Sequence, residues 1–132
     1  MRRTLLGLLL ALGIACSLGA SSSGHDVAYS TTASGGVEKS AVVCSSGCNF
    51  TEMSGYNDSA ATRYIMLFDA ATLPANGAIP NQFYLVAANM GFGILGAAER
   101  FRTGMVVACS TTAKTLTITA TNDCFFHVLA VQ

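Results

Sequence analysis

Charge is scarce in this sequence: seven Lys and Arg and seven Asp and Glu make up 11% of its 132 residues. So few basic side chains exclude the patch that nucleic-acid binding requires. The acidic residues occur singly in different segments, so no pair is placed for acid–base chemistry and the sequence reads as a non-enzyme. No apolar run reaches the roughly 20 residues of a membrane-spanning helix. Internal repeats, heptads and long amphipathic helical patterns are also missing, which leaves short elements as the building material.

What is present begins with Met1-Arg2-Arg3, an apolar run from Leu5 to Ala15, and Ser17-Leu18-Gly19-Ala20. A basic start, a short leucine-rich stretch and small residues are the pattern of a secretory signal peptide over residues 1–20. Cleavage is expected after Gly19 or Ala20, giving an exported protein: periplasmic, extracellular or virion-associated. The alternative is a lipoprotein, because Gly13-Ile14-Ala15-Cys16 places Cys16 where a lipid anchor is attached. The mature chain then holds five basic and seven acidic residues, and its surface consists mostly of hydroxyls, amides and small side chains. Such a surface suits packing against neighbours.

Four cysteines follow the leader, an even set that favours two disulfides in an exported domain. Cys44 and Cys48 bracket Ser45-Ser46-Gly47, a turn-forming triplet that brings the thiols together. Cys109 then pairs with Cys124, closing a loop of about 16 residues worth roughly 3 kcal/mol, against about 2 for the shorter loop. A zinc site is the competing reading, but the spacings are C-x3-C and C-x14-C rather than C-x2-C.

Residues 21–36 read as a Ser, Gly and Thr-rich leader in which Val27 and Tyr29 contribute an edge strand. From residue 37 onward, short apolar runs alternate with turn signals and predict strands over 37–43, 49–54, 63–69, 82–88, 101–109, 115–121 and 124–131. The 115–121 segment alternates threonine with Leu116 and Ile118, which places those two on one face. Tyr64-Ile65-Met66-Leu67-Phe68 and Phe125-Phe126-His127-Val128-Leu129 are apolar on both alternating sets, predicting strands covered on each side. Residues 37–132 are therefore expected to form one all-β antiparallel sandwich of seven to eight strands, jelly-roll-like or immunoglobulin-like.

Several motifs imitate chemistry. Gly91-Phe92-Gly93-Ile94-Leu95-Gly96 matches the dinucleotide fingerprint, but no helix opens at its last glycine and no acidic residue lies about 20 positions on. It reads as a glycine-rich loop between strands, so no cofactor is expected. In an extended strand Cys124 and His127 point to opposite faces, which denies them a nucleophile–base hydrogen bond; His127 reads as a core histidine. Asn49-Phe50-Thr51 and Asn57-Asp58-Ser59 fit the N-glycosylation pattern, which matters only in a eukaryotic secretory route. Arg100 and Arg102 read as a solvated or interface-facing stripe.

One ordered series of segments remains. Gly55-Tyr56-Asn57 and Ala60-Ala61-Thr62-Arg63-Tyr64-Ile65-Met66-Leu67-Phe68-Asp69 come first, followed by Leu73-Pro74, Gly77 and Pro80, then by the glycine-rich 91–96 segment. Phe101-Arg102-Thr103-Gly104-Met105-Val106-Val107-Ala108 and Asn122-Asp123 complete it. Across residues 55–132 the chain resembles small phage-encoded β-sandwich proteins that accompany virions as decoration or accessory components. The resemblance implies a structural role without catalytic or metal-binding residues. The leader and the four cysteines depart from that group, and an exported surface or periplasmic binding domain is the alternative. The expected partner is a second copy or a protein lattice, met near Phe92, Ile94 and Arg102.

Mature protein recovered from a periplasm or medium is expected to begin at Ala20 or Ser21 by intact mass. Retention of Met1 to Ala20 overturns the signal reading, and a Cys16 start with added lipid mass selects the anchored form.

Overall fold

The computed structural model describes residues 29–33 and 36–132. The signal segment, Cys16 and Val27 lie outside these residues. Eight strands and no helix occur among them: β1 (Tyr29–Ala33), β2 (Ser40–Cys44), β3 (Cys48–Asn57), β4 (Arg63–Asp69), β5 (Gln82–Val86), β6 (Met90–Phe101), β7 (Met105–Ser110) and β8 (Cys124–Val131). They form two four-stranded antiparallel sheets: sheet I in the order β1-β8-β3-β6 and sheet II in the order β2-β7-β4-β5.

The pairing has a simple rule. β1 pairs with β8, β2 with β7, β3 with β6 and β4 with β5, so the chain is one long antiparallel ribbon doubled back on itself. Rolling that ribbon adds the contacts β3–β8 and β4–β7 and separates it into two layers. This is the nested connectivity of an eight-stranded jelly roll rather than that of an immunoglobulin domain.

The main core lies between the sheets. Phe50, Met53, Phe126 and Val128 from sheet I meet Ile65, Leu67, Met105 and Val107 from sheet II, all at most 2% exposed. Sheet II is buried on its other face as well, where Met66, Phe68, Val106 and Ala108 form a second cluster capped by Leu116. β4 is therefore covered on both sides, as its apolar run predicts. β8 is not: its burial alternates strictly, and His127 stands exposed on the outer face of sheet I instead of in the core.

Two predicted elements change character. Residues 115–121 are irregular, meeting β7 at the isolated Ile118–Ser110 bridge and through the Thr119 amide, which donates to the Cys109 carbonyl. Leu116 spends its backbone groups on Gly77 and Ala78, and the Ser110 hydroxyl accepts from the amides of Thr112 and Thr117. The alternation correctly put Leu116 and Ile118 on one face, but that face closes the outer cluster of sheet II rather than extending a ladder. Conversely, the 91–96 segment is no loop. It lies in β6, the longest strand, where pairing with β3 outweighs the weak strand preference of glycine. The predicted 101–109 strand is accordingly divided by a turn at 102–104, where the Thr103 amide donates to Asp69 Oδ1 at 2.6 Å.

Both cysteine pairs form as expected, Cys44 with Cys48 and Cys109 with Cys124. Each joins a strand of sheet II to one of sheet I. The registers place them at opposite ends of the sandwich: Cys44 sits beside Met105, whereas Cys109 sits beside Ile65 on the far end of β7.

Gly55 is the tightest point of sheet I. A Cβ there would lie 2.1 Å from the Phe125 carbonyl oxygen and 2.5 Å from the Phe92 ring. Gly55→Ala is expected to lower stability by about 3 kcal/mol, read from the denaturant midpoint, because backbone cannot retreat as a flexible side chain can. Gly93, with no atom within 4 Å of such a Cβ, should accept alanine with a change under about 1 kcal/mol.

Candidate functional site

The structure separates the residues that the sequence grouped as a contact site. Phe92 and Ile94 are half-buried and pack against the main core, so they face inward. Arg102 is exposed in the turn after β6, at the other end of that long strand. The exposed side of β6 is formed instead by Gly91, Gly93 and Leu95, with Met90 at its start. Leu95 is 88% exposed and Met90 54%. The sequence signal for this was the alternation Phe92/Ile94 against Gly91/Gly93/Leu95, hidden by reading the glycines as a loop.

β6 ends sheet I and β5 ends sheet II, and the two run along the same flank of the sandwich. Among the described residues no strand pairs with either outer edge. β5 adds exposed Phe83 and Leu85, the latter 65% exposed. Phe83 meets Tyr64 edge to face, with ring centres 6.5 Å apart. Neither β5 nor β6 from Met90 to Ala98 contains a charged residue or proline, the usual protection of an edge. The first charges on β6 are Glu99, whose buried Oε2 accepts no hydrogen bond among the described residues, and exposed Arg100.

The outer face of sheet I is laid out in rows by its register. Gly91, Tyr56 and Phe125 form one row; Gly93, Ser54, His127 and Ala33 the next; Leu95, Glu52 and Leu129 a third. The middle row is low beside β6, because it consists there of glycine and serine. A depression of about 280 Å³ results, lined by Glu52, Met53, Ser54, Gly93, Ile94 and Leu95. In the adjoining row the Tyr56 ring lies 3.9 Å from the Cβ position of Gly91, and its hydroxyl donates to the Asn89 carbonyl at 3.0 Å.

The end of the sandwich near Cys124 holds the polar network, and that network supports the fold. Asn57 is fully buried, its Nδ2 donating to the carbonyls of Ala61, Val86 and Ala87 and its Oδ1 accepting from the Ser59 amide. An amide so engaged is closed to glycosylation in the folded protein, whereas Asn49 is exposed on β3. Arg63 Nε donates to Asp123 Oδ2 at 2.7 Å across the two sheets, and Thr121 donates to Oδ1. Burial raises the Asp123 pKa, but the hydrogen bonds from Thr121 and Arg63 and the charges of Arg63 and Lys39 outweigh it, leaving the carboxyl below its ordinary value. Cys124, buried in its disulfide, and His127, exposed, are on opposite faces of β8. No three His, Cys, Asp or Glu side chains among the described residues are grouped to hold a metal.

A lowered folded-state pKa means that Asp123 stabilises the protein above the unfolded value of about 3.9, and that this contribution is lost as pH falls through the folded value. Asp123→Asn is expected to cost about 2 kcal/mol or more at pH 7 by leaving Arg63 unpaired in a mostly buried position. Denaturation curves at pH 7 and pH 2.5 check it, since the difference between the proteins should shrink at the lower pH.

No family model matches the chain, and no match to it is found among the curated proteins or the solved structures.

Proposed function

We propose that this protein is a non-enzymatic structural module, exported, that works by packing against copies of itself or a protein lattice, like the accessory proteins of phage virions that it resembles. The observation that carries this reading is the uncharged, unprotected flank formed by the β5 and β6 edges. Placing charges there would make close contact costly through desolvation; their absence favours it. The jelly roll supports the reading, since this architecture is common in viral capsid domains. Two disulfides suit an oxidising, exported setting. No helix among the described residues is long and apolar enough to cross a membrane.

A second reading, an exported surface or periplasmic binding domain, is favoured by the depression on sheet I. Glu52 and Ser54 give it polar groups, Tyr56 stands in the neighbouring row of the same face, and jelly rolls also serve as lectin domains. A monomer that binds a glycan or peptide, with binding lost in Tyr56→Ala, would select it.

Light scattering of the oxidised protein across a concentration series tests the first reading. A defined oligomer is expected, dissolved by Leu95→Lys with an unchanged β-type circular dichroism spectrum. A monomer at every concentration, unaffected by that substitution, overturns association with itself.

A further inference from the structure

Resting on the reading of the β5–β6 flank as a contact surface, we infer that β6 pairs antiparallel with β6 of a second copy, about a two-fold axis through Gly93. Three observations lead to this arrangement. The first is where free pairing capacity lies. β1, β2 and β5 are edges of five residues each, whereas β6 has twelve. Its stretch Met90–Leu95 is paired with β3 without a break, and the register slips only beyond Leu95. That stretch exposes a row of backbone groups unpaired among the described residues, with no charge, proline or bulge to turn a neighbour away.

The second is electrostatic. A two-fold contact sets each strand against its own copy, so any charged residue on the strand meets its like or a nearby repeat of it. Like charges directly opposite are destabilising, and Met90–Leu95 contains none. Glu99 and Arg100 lie past the slip in register and bound the usable length.

The third is shape, and it fixes the axis. Directly opposed residues in an antiparallel pair point to the same face, so the axis must pass through a residue rather than between two. With Gly93 on the axis, Leu95 of one copy stands opposite Gly91 of the other, and Phe92 opposite Ile94. The exposed Leu95 then fills the place where a side chain is missing and reaches the Tyr56 ring beside Gly91. The half-buried Phe92 and Ile94 cover each other as an aromatic–branched pair on the inner face. An axis at Ile94 or Leu95 would carry the ladder past the slip in register, and at Leu95 would also set Arg100 against Met90 of the other copy. The occupant is thus a second copy of this chain, and sheet I becomes one eight-stranded sheet across the dimer.

Opposed residues in such a pair have Cβ atoms about 4.5–5.5 Å apart, close to disulfide reach. Gly93→Cys has open space for its side chain and meets its own copy on the axis. Under mild oxidation, Gly93→Cys is expected to form a covalent dimer within the time that Leu95→Cys, two positions off the axis, remains mostly uncrosslinked. Mixing Gly91→Cys with Leu95→Cys should give the mixed dimer in preference to either self-dimer. A wild-type oligomer in which Leu95→Cys crosslinks faster than Gly93→Cys overturns the axis while leaving the contact surface standing. A wild type that is monomeric at all concentrations, with neither cysteine crosslinking, overturns both.

Discussion

The two sheets are tied to each other covalently at both ends of the sandwich, and much of the rest follows from that restraint. Cys44–Cys48 links β2 to β3 at one end and Cys109–Cys124 links β7 to β8 at the other. A domain of this size gains only a modest margin from its core, and cross-links that restrict the unfolded chain add to it. With the layers so held, the surface has little need of ion pairs: the Arg63–Asp123 contact is one that also bridges the sheets. The same scarcity of charge leaves β5 and residues 90–98 of β6 without a charged side chain.

The layers are unequal. Among the described residues sheet I is covered on one face only and presents Tyr56, Ser54, His127 and Glu52 outward. Sheet II is covered on both faces of its central strands β4 and β7, its outer side capped by Leu116 and the loop around Ala78, while its edge strands leave Val42, Phe83 and Leu85 exposed.

Much of the fold was legible because burial imposes alternation. β4 and β8 agree with the predicted bounds, and the cysteine pairs followed from spacing and turn chemistry. Failures came where local preference and tertiary role disagree. Glycine disfavours strands, yet on the outer side of β6 it makes room for the Tyr56 ring, so a strand was read as a loop. The threonines of 115–121 favour strands, yet Leu116 is needed as a cap and its backbone bonds to Gly77 and Ala78. Of the residues grouped for contact, Phe92 and Ile94 turn out to pack on the core, whereas Arg102 lies in the turn beyond β6, because the alternation of the strand was hidden by its glycines.

The doubled ribbon also constrains the order in which the molecule can assemble. Only β4 and β5 close over a short stretch of chain; every other pairing along the ribbon waits on a longer loop, up to β1 with β8. Non-local ladders of this kind form slowly, since the entropy of closing each loop must be overcome first. The cysteines are placed differently: their separations of 4 and 15 residues are local, although the bonds they form join opposite layers. Oxidation therefore has no need to wait for the sheets. Once formed, the cross-links set the two corners at which β2 turns into β3 and β7 leads into β8, shortening the search by which the outer strands find one another.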